Sequence, residues 1–312
     1  MPLNSTSGKS LYTVQDFLIT SALSLAYFAL SYLMIGFKSD QVVLVLIFNV
    51  CYYASAYTRK FILGFSIFIV YWIIFDYMKA FPNYRFHDVS TSELYNLEKS
   101  FFGIKDQALL LTPNEYFKAH HHVLIDVVSG FFYLMWIPVP LGFAAFLFFK
   151  DRTEFLYFSL TFVLVNLIGF VIYYLYPAAP PWYIQQHGYE FIANTAGNTG
   201  GLARFDAYFD VPVFASIYSK SSNVFAAMPS LHSSYPVIVV YYGIRNRLGK
   251  LNVFFAVVML GIWFTAIYTS HHYLLDVLAG ICCAISSIYL FNYLVAHTGL
   301  KRVLEKYAKV IA

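Results

Sequence analysis

Long apolar windows, bounded by charged residues or prolines, recur along nearly the whole chain. A helix needs about 20 mostly apolar residues to cross a bilayer, and about eight windows approach that length. The pattern therefore predicts an all-α polytopic membrane protein of about eight transmembrane helices. The predicted spans are residues 17–36, 41–57, 61–78, 124–149, 154–176, 229–245, 252–270 and 272–296.

Composition supports a membrane location. Hydrophobic residues make up 60% of the chain and charged residues 12%, which leaves too little polar surface to cover a soluble globule of this size. The formal net charge is only +4, and the basic residues lie mostly in short connections rather than in one cluster. This distribution argues against a nucleic-acid partner.

The N-terminal residues and the cysteines indicate no secreted, disulfide-stabilised domain. The first 16 residues are polar, without a compact apolar region and cleavage site, so we expect no removable signal peptide. Cys51, Cys282 and Cys283 all lie in apolar stretches. Because an odd set that includes two adjacent cysteines makes a poor disulfide framework, we expect small core residues at these positions.

Charge also predicts the orientation of the spans. An even number of spans puts both termini on one side, and the short connections on that side are basic, which makes this side cytoplasmic by the positive-inside rule. The long connections, residues 79–123 and 177–228, then form a periplasmic or lumenal cap over a substrate site. Neither contains an Asn-x-Ser/Thr sequon, which favours a bacterial inner membrane over a Golgi membrane. We expect peripheral helices in 1–58, a catalytic core in 59–300 and a basic cytoplasmic tail in 301–312.

Ionisable residues stand at the start of the last predicted span. Placing such residues inside a membrane costs free energy, so a functional role is expected for them. His272 and Asp276 are four residues apart and share one face of a helix. The carboxylate can accept a hydrogen bond from one ring nitrogen and fix the tautomer, which leaves the other nitrogen as a nucleophile. The alternative is a buried histidine–aspartate pair in which each side chain serves only as the hydrogen-bond partner of the other.

A second histidine is predicted at the same membrane face. The segment Pro229-Ser230-Leu231-His232 opens the sixth span. Proline is tolerated in a first helical turn, and the free N–H groups of that turn attract anions. The segment therefore predicts a phosphate site, although a simple helix start with a chance histidine would give the same pattern.

Together these segments resemble the second and third signatures of the type 2 phosphatidic acid phosphatase (PAP2) superfamily, whose members share a six-helix core with vanadium haloperoxidases. The resemblance implies that His272 forms a phosphohistidine, that Asp276 orients it, and that His232 protonates the leaving alkoxide. Two features depart from the phosphatase branch. Ala266 stands where a signature arginine is expected, and residues 176–182 replace the lysine and Arg-Pro of the first signature.

The departures are similar to the aureobasidin-sensitive inositol phosphorylceramide synthase branch. The matching segments are Pro-Ala-Ala-Pro-Pro-Trp at 177–182, Gly-Leu-Ala-Arg-Phe-Asp at 201–206, Pro-Ser-Leu-His at 229–232 and Ser-His-His-Tyr at 270–273. This resemblance implies a transferase that takes phosphoinositol or a related headgroup from a phosphatidylinositol-type donor. Diacylglycerol would be released, and the headgroup would pass to the hydroxyl of a ceramide-type lipid. No metal and no organic cofactor is expected.

Further site residues are predicted in the two long connections. Arg204 and then Lys220 are the candidates for holding the phosphodiester, because they are the cations of the second connection, which lies closest to the histidines in sequence. Solvated surface positions are the alternative for both. Tyr176 and Trp182 are candidates for lining a lipid entrance, or for ordinary interfacial aromatic residues.

The histidines around the end of the first long connection invite a metal site. Adjacent helical residues point about 100° apart and rarely converge on one ion, so we expect no metal at His120, His121 and His122. His122 and Asp126 are instead candidates for contacting a polar headgroup. The remaining candidates for substrate contacts are Asp76 and His271.

Two other functions stay open at this stage. A lipid phosphate phosphatase would use the same intermediate with water as the acceptor, and the missing lysine and arginine signatures argue against it. A non-catalytic lipid-binding or transport protein would keep the histidines as structural residues. Trapping a phosphohistidine would exclude the second alternative. A haloperoxidase suits a membrane site with lipid-sized approaches less well than either.

Overall fold

The computed structural model describes residues 12–220 and 223–312. Most of the polar N-terminal segment in which no signal peptide was predicted lies outside the described residues. The chain forms two compact units, Met1–Ala80 with Tyr307–Ala312, and Phe81–Lys306. Residue 58, the expected boundary between peripheral helices and catalytic core, lies in the helix Ala56–Tyr77 of the first unit, and the three-part division stays a prediction.

The first unit contains helices α1 (Val14–Ile35), α2 (Ser39–Ala54) and α3 (Ala56–Tyr77), followed by a 3₁₀ turn. Side-chain caps define the beginnings of two of them. The Thr13 hydroxyl accepts a hydrogen bond from the backbone N–H of Asp16 at the start of α1, and Ser55 caps α3 in the same way. Such caps satisfy N–H groups that have no partner inside the helix.

The second unit contains the remaining helices and a two-stranded antiparallel hairpin, which is the one departure from the all-α prediction within the described residues. A last helix, α15, runs from Leu300 to Val310, and its final residues belong to the first unit. The predicted basic tail is thus helical. The other elements are α4 (Ser92–Phe102), β1 (Ile104–Asp106), β2 (Leu109–Leu111), α5 (Pro113–Ala119), α6 (Val123–Leu134), α7 (Pro138–Lys150), α8 (Arg152–Leu175), α9 (Pro181–His187), α10 (Ala203–Phe209), α11 (Val213–Tyr218), α12 (Leu231–Arg245), α13 (Leu251–Tyr268) and α14 (Leu274–His297).

Six stretches of the described residues are helical, long and apolar enough to cross a membrane. The prediction of a helical integral membrane protein is therefore confirmed. Two other predicted spans correspond to shorter helices, α2 with 16 residues and α12 with 15. The total of eight spans stays a prediction.

The span predicted at 124–149 is broken into α6 and α7 at residues 135–137. The break precedes Pro138, which has no backbone N–H and disfavours helical geometry in the residue before it. Pro140 follows in the first turn of α7. The interruption places Trp136 outside regular helix, where its ring contacts the ring of His232.

The core of the second unit is formed by α8, α12, α13 and α14, with α12 in contact with the other three. The beginnings of α12 and α14 are joined by two hydrogen bonds. The Ser230 N–H donates to the Asp276 carbonyl over 2.9 Å, and the Ser234 hydroxyl donates to the Gly280 carbonyl over 2.7 Å. Side-chain volume at position 280 is excluded, because an added methyl group would overlap the Ser230 carbonyl oxygen.

The two long connections, residues 81–122 and 176–230, fold together and are called the cap below. Ala178 pairs with Ser90 of the first connection and with Ala226 of its own. Asn83 is fully buried, and its side-chain amide donates to the carbonyl oxygens of Tyr173 and Phe225 at 2.9 Å each. These contacts join the two connections to each other and to the end of α8.

The three cysteines are free thiols. Cys283 is buried and Cys51 is half-buried, as expected of core residues. The prediction of a core position was wrong for Cys282, which is exposed on α14 because it lies about 100° around the helix from its buried neighbour.

Candidate active site

The turn between α13 and α14 carries the two candidate histidines side by side. The backbone N–H groups of His271 and His272 both donate to the Ala266 carbonyl, each over 3.0 Å. Ser270 has φ = 61°, a left-handed conformation that costs free energy in a non-glycine residue. Its carbonyl accepts a hydrogen bond from the Trp182 N–H at 2.9 Å, so the cap holds this turn in place.

His272 lies between a carboxylate and a second imidazole. Its Nδ1 is 3.5 Å from Oδ2 of Asp276, which is longer than an ordinary hydrogen bond, and makes no hydrogen bond to any described residue. Its Nε2 is 3.2 Å from Nδ1 of His232. Only 6% of His272 and none of Asp276 is exposed. The structure thus brings together the three residues predicted as catalytic, with Nε2 as the ring nitrogen directed away from the carboxylate.

Burial keeps the histidines of this turn neutral. It lowers the pKa of His272 to about 4, partly offset by a hydrogen bond to the Ala227 backbone. It lowers the pKa of His271 to about 3. Removal from water disfavours the charged imidazolium. At neutral pH, His272 therefore presents a free lone pair, as a nucleophile requires.

His232 lies in the first turn of α12. The prediction that Pro229 belongs to this turn was wrong, because Ser230 is the N-cap and the helix begins at Leu231. Trp136 stands edge-on to the His232 ring, with 4.4 Å between the centroids. The Tyr133 hydroxyl is 3.4 Å from Nδ1 of His232.

Tyr133 and Tyr218 are site residues that the sequence did not predict. The Tyr218 hydroxyl donates to the Tyr133 hydroxyl over 3.2 Å, and the Tyr218 ring lies 4.5 Å from the His271 ring. Tyr133 is 1% exposed. Nothing local distinguishes it from the other aromatic residues of an apolar span. Tyr133 becomes a neighbour of His232 only when the chain is folded.

The fold and this geometry agree with a match to known proteins. Residues 104–290 match the family model of the PAP2 superfamily. The chain belongs to the PAP2 superfamily. The predicted resemblance is therefore confirmed, and Ala266, fully buried beside Tyr133, shows that this PAP2 protein has no cation at the position of the signature arginine.

Similar curated proteins are sphingolipid synthases. The PAP2 protein is 44% identical to the phosphoinositol dihydroceramide synthase of Bacteroides thetaiotaomicron over 89% of its own length and 92% of that protein. It is 28% identical to the catalytic subunit of inositol phosphorylceramide synthase of Schizosaccharomyces pombe, over 70% of its own length and 51% of the other. The Candida albicans inositol phosphorylceramide synthase is 32% identical over 55% and 38%, respectively. No solved structure matches.

Arg204 of this PAP2 protein is held by Asp126. Its Nε donates to the carboxylate over 2.6 Å, and the same oxygen accepts from the Tyr268 hydroxyl at 2.8 Å. Asp126 is 6% exposed, and its other oxygen is 3.3 Å from Nδ1 of His121. Among the residues that the structure describes, Nη2 of Arg204 is buried without a hydrogen-bond partner. This nitrogen therefore has hydrogen-bonding capacity that no described protein group uses.

A pair of glycines connects Arg204 with the catalytic turn. A methyl group at Gly201 would lie 2.9 Å from Nη2 of Arg204 and equally close to the Thr269 Cα. At Gly200, which has φ = 51°, a methyl group would lie 3.0 Å from the His271 ring. The two glycines thus let Arg204 and His271 approach the same stretch of backbone. Nε2 of His271 also lacks a partner in the described part of the chain.

The other candidates have different surroundings. Lys220 is exposed just after α11, two residues beyond Tyr218. The Tyr176 hydroxyl donates to the Ser90 hydroxyl over 2.9 Å. Trp182 is 6% exposed and packs in a core cluster of the cap, so it does not form an exposed lipid entrance. Asp76 lies in the first unit, where it accepts from Lys79 over 2.6 Å.

The three neighbouring histidines turn to three different partners. His120 stacks on Tyr116, with 4.4 Å between the rings. His121 faces Asp126 as described above, whereas His122 is the N-cap of α6 and its Nδ1 accepts from the Leu124 N–H at 3.2 Å. The divergence does not come from the helical spacing assumed for these residues, because all three lie between the end of α5 and the start of α6.

Proposed function

We propose that the protein transfers phosphoinositol from a glycerophospholipid to the primary hydroxyl of a ceramide-type lipid, with a covalent intermediate on His272. The observation that carries this proposal is the direct apposition of His272 and His232, 3.2 Å apart, with Asp276 on the other side of His272. The identity of 44% with a phosphoinositol dihydroceramide synthase over nearly the full length supports the choice of headgroup and acceptor.

In the first half-reaction, Nε2 of His272 attacks the phosphorus of the donor. The bond between phosphorus and the diacylglycerol oxygen breaks, and His232 gives a proton to that oxygen. Asp276 stabilises the proton on Nδ1 of His272 while a new N–P bond forms. The products are diacylglycerol and phosphoinositol bound to His272.

In the second half-reaction, His232 removes the proton of the acceptor hydroxyl as its oxygen attacks phosphorus. The N–P bond then breaks and His272 is restored. Transfer rather than hydrolysis requires that water be kept from the intermediate. The burial of His271, His272 and Asp276, at 6% exposure or less, supports this requirement.

Arg204 is our candidate for holding the phosphodiester. A guanidinium can bind two phosphate oxygens, a geometry that lysine lacks, and Nη2 of Arg204 is buried without a described partner. Because both oxygens of Asp126 already have protein partners, we assign Asp126 the orientation of Arg204 rather than direct contact with the headgroup. Lys220, His122 and His271 remain candidates for contacts with the headgroup.

An apolar groove supports a lipid substrate. It has a volume of about 780 Å³ and lies between α12, α13 and α14. The groove comes nearest to the candidate catalytic residues at Trp263. The indole N–H of Trp263 donates to the Ser233 carbonyl over 2.9 Å, next to His232. Alkyl chains of donor or acceptor would be accommodated here beside the bilayer.

The basic short connections support a cytoplasmic location of both termini, with the cap and the active site on the periplasmic or lumenal side. The extensive similarity to a bacterial protein supports the bacterial inner membrane. Labelling of single cysteines placed in residues 81–122, with a reagent that does not cross membranes, tests this orientation in intact cells. Labelling only after permeabilisation would reverse it.

The function is tested with purified protein in liposomes that contain phosphatidylinositol and ceramide, followed by mass spectrometry of the lipids. We expect inositol phosphorylceramide and diacylglycerol in equal amounts from the wild type and neither from His272→Ala. Inositol phosphate without a new sphingolipid would indicate a hydrolase. Absence of any product that depends on His272 would refute catalysis.

A further inference from the structure

Two buried polar residues of the cap hold the backbone on either side of His272. Asn114, at the start of α5, is fully buried. Its side-chain amide donates to the carbonyl oxygen of Ile267 over 2.8 Å and to that of His272 over 2.9 Å. One amide group therefore ties the end of α13 to the residue that carries the nucleophilic ring.

Glu98 of α4 binds the same turn from its other end. Its Oε1 accepts from the Leu274 N–H at 2.9 Å and its Oε2 from the Leu275 N–H at 3.1 Å. These are the first two N–H groups of α14, and such groups have no partner within a helix. A carboxylate at this position is also favoured by the helix dipole.

Burying the Glu98 carboxylate costs free energy, which indicates that its contacts have a role beyond packing. The residue is fully buried. Burial is the main cause that raises its pKa to about 7; the two backbone hydrogen bonds oppose this rise and the nearby Asp276 carboxylate adds to it. An apolar side chain would avoid this cost but would leave two buried N–H groups unpaired.

The contacts enclose the catalytic residues in sequence and in space. Asn114 acts on the His272 carbonyl, Glu98 on the two residues after Tyr273, and the Tyr273 N–H donates to Oδ2 of Asp276 over 2.8 Å. The orientation of the His272 ring depends on this backbone. The position of Asp276 depends on it as well, since the residue lies in the first turn of α14.

We propose that Glu98 and Asn114 are positioning residues of the transfer reaction, which fix the backbone around His272 so that its Nε2 faces His232 and the donor phosphorus. This inference rests on the proposed role of His272 as nucleophile. The two side chains do not touch the substrate. Their loss therefore lowers the rate of the chemical step and leaves binding of the lipid donor unchanged.

The test uses substitutions that keep side-chain volume and change only hydrogen bonding. Glu98→Gln replaces one acceptor oxygen by an NH₂ group that faces an N–H donor, and Asn114→Asp replaces the donating NH₂ by an oxygen that faces two carbonyls. Matched controls are Glu93→Gln and Asn96→Asp, at exposed positions of α4. All variants are compared with the wild type in the liposome assay.

We expect kcat to fall by about 10- to 100-fold in Glu98→Gln and Asn114→Asp, because a displacement of about 1 Å at a nucleophile has effects of this size. The KM for phosphatidylinositol should stay within about twofold of the wild type, since the contacts act on orientation and not on substrate binding. The two control variants should retain the kcat of the wild type.

Other outcomes overturn the inference. If Glu98→Gln and Asn114→Asp are folded and keep the wild-type kcat, the contacts do not position the nucleophile. A loss of activity that only follows the loss of folded protein, measured by size-exclusion chromatography and thermal unfolding, would show a structural role. If either variant does not fold, Glu98→Asp and Asn114→Ser carry the same comparison. A wild type without product dependent on His272 would refute the proposed function itself.

Discussion

Gly280 offers a sharp test of how closely the two catalytic helices must approach. It lies on α14 one turn after Asp276, against the backbone of Ser230, which is two residues before His232. In Gly280→Ala the new methyl group would overlap the Ser230 carbonyl oxygen and lie 3.0 Å from its carbon. Because this neighbour is backbone, it cannot rotate away. The helices must move apart.

The size of the movement sets the expected effect. Carbon atoms pack best at about 3.5–4.0 Å, so relief of this overlap requires a shift of roughly 1 Å between α12 and α14. Overpacking of this kind destabilises a protein by about 1–3 kcal/mol. A misplacement of about 1 Å between catalytic groups costs about 100-fold in rate. Gly280→Ala should therefore remain folded at moderate temperature and lose most of its transferase activity.

Two other glycines provide a graded comparison in the same assay. Gly142 on α7 has no described atom within 4 Å of an added methyl group, so Gly142→Ala should keep full activity and gain stability slightly. At Gly169 the three atoms nearest to the methyl group would all belong to the Leu231 side chain, at 2.7 to 3.1 Å, and a side chain can shift more readily than backbone. Gly169→Ala should fall between the two. Wild-type kcat in folded Gly280→Ala would refute the claim that α12 and α14 must stay in contact here.

Three further predictions concern single residues. Asp276→Asn should lower kcat by about 10²- to 10⁴-fold, through loss of the tautomer that exposes Nε2 of His272, and an unchanged kcat would exclude this role. Arg204→Lys keeps the charge but loses the two-pronged guanidinium, so the KM for phosphatidylinositol should rise by about tenfold, whereas an equal KM would place the phosphate elsewhere. The pKa of Glu98 is raised from 4.5 to about 7, so folding binds a proton between these values. The stability of the wild type relative to Glu98→Gln, measured as the difference between their melting temperatures, should therefore decrease as pH rises from about 4.5 to about 7. Parallel curves for the two proteins would contradict it.

The proximity of the three candidate catalytic residues was predictable because their sequence signals are local. His272 and Asp276 are four positions apart, and His232 follows a Pro-Ser-Leu segment. The expectation that His272 and Asp276 share one helix was wrong, because His272 lies in the turn before α14. Glu98, in contrast, meets Leu274 across 176 positions of sequence, and no short pattern marks that contact. Such long-range partners become visible only when the cap is folded over the turn.

The fold shows the same division between local and distant information. Hydropathy places the long helices within a few residues, because burial in lipid constrains every side chain of a span. The break at residues 135–137 was missed, although Pro138 and Pro140 are local signals of an interruption. Its consequence, the packing of Trp136 on His232, depends on tertiary structure and could not be derived from the sequence.

The close pairing of His232 and His272 has a consequence for the choice of substrate. With reacting contacts of about 3 Å, a phosphorus atom and its leaving oxygen need their flanking nitrogens about 6 Å or more apart, whereas Nδ1 of His232 and Nε2 of His272 stand 3.2 Å apart. Separating the two nitrogens costs free energy, which binding of the substrate must supply. For a lipid, the alkyl chains can supply that free energy, and a small phosphate ester has no such source. In the proposed reaction, the binding of the alkyl chains, which lie away from the phosphorus atom, thereby contributes to the rate of its transfer.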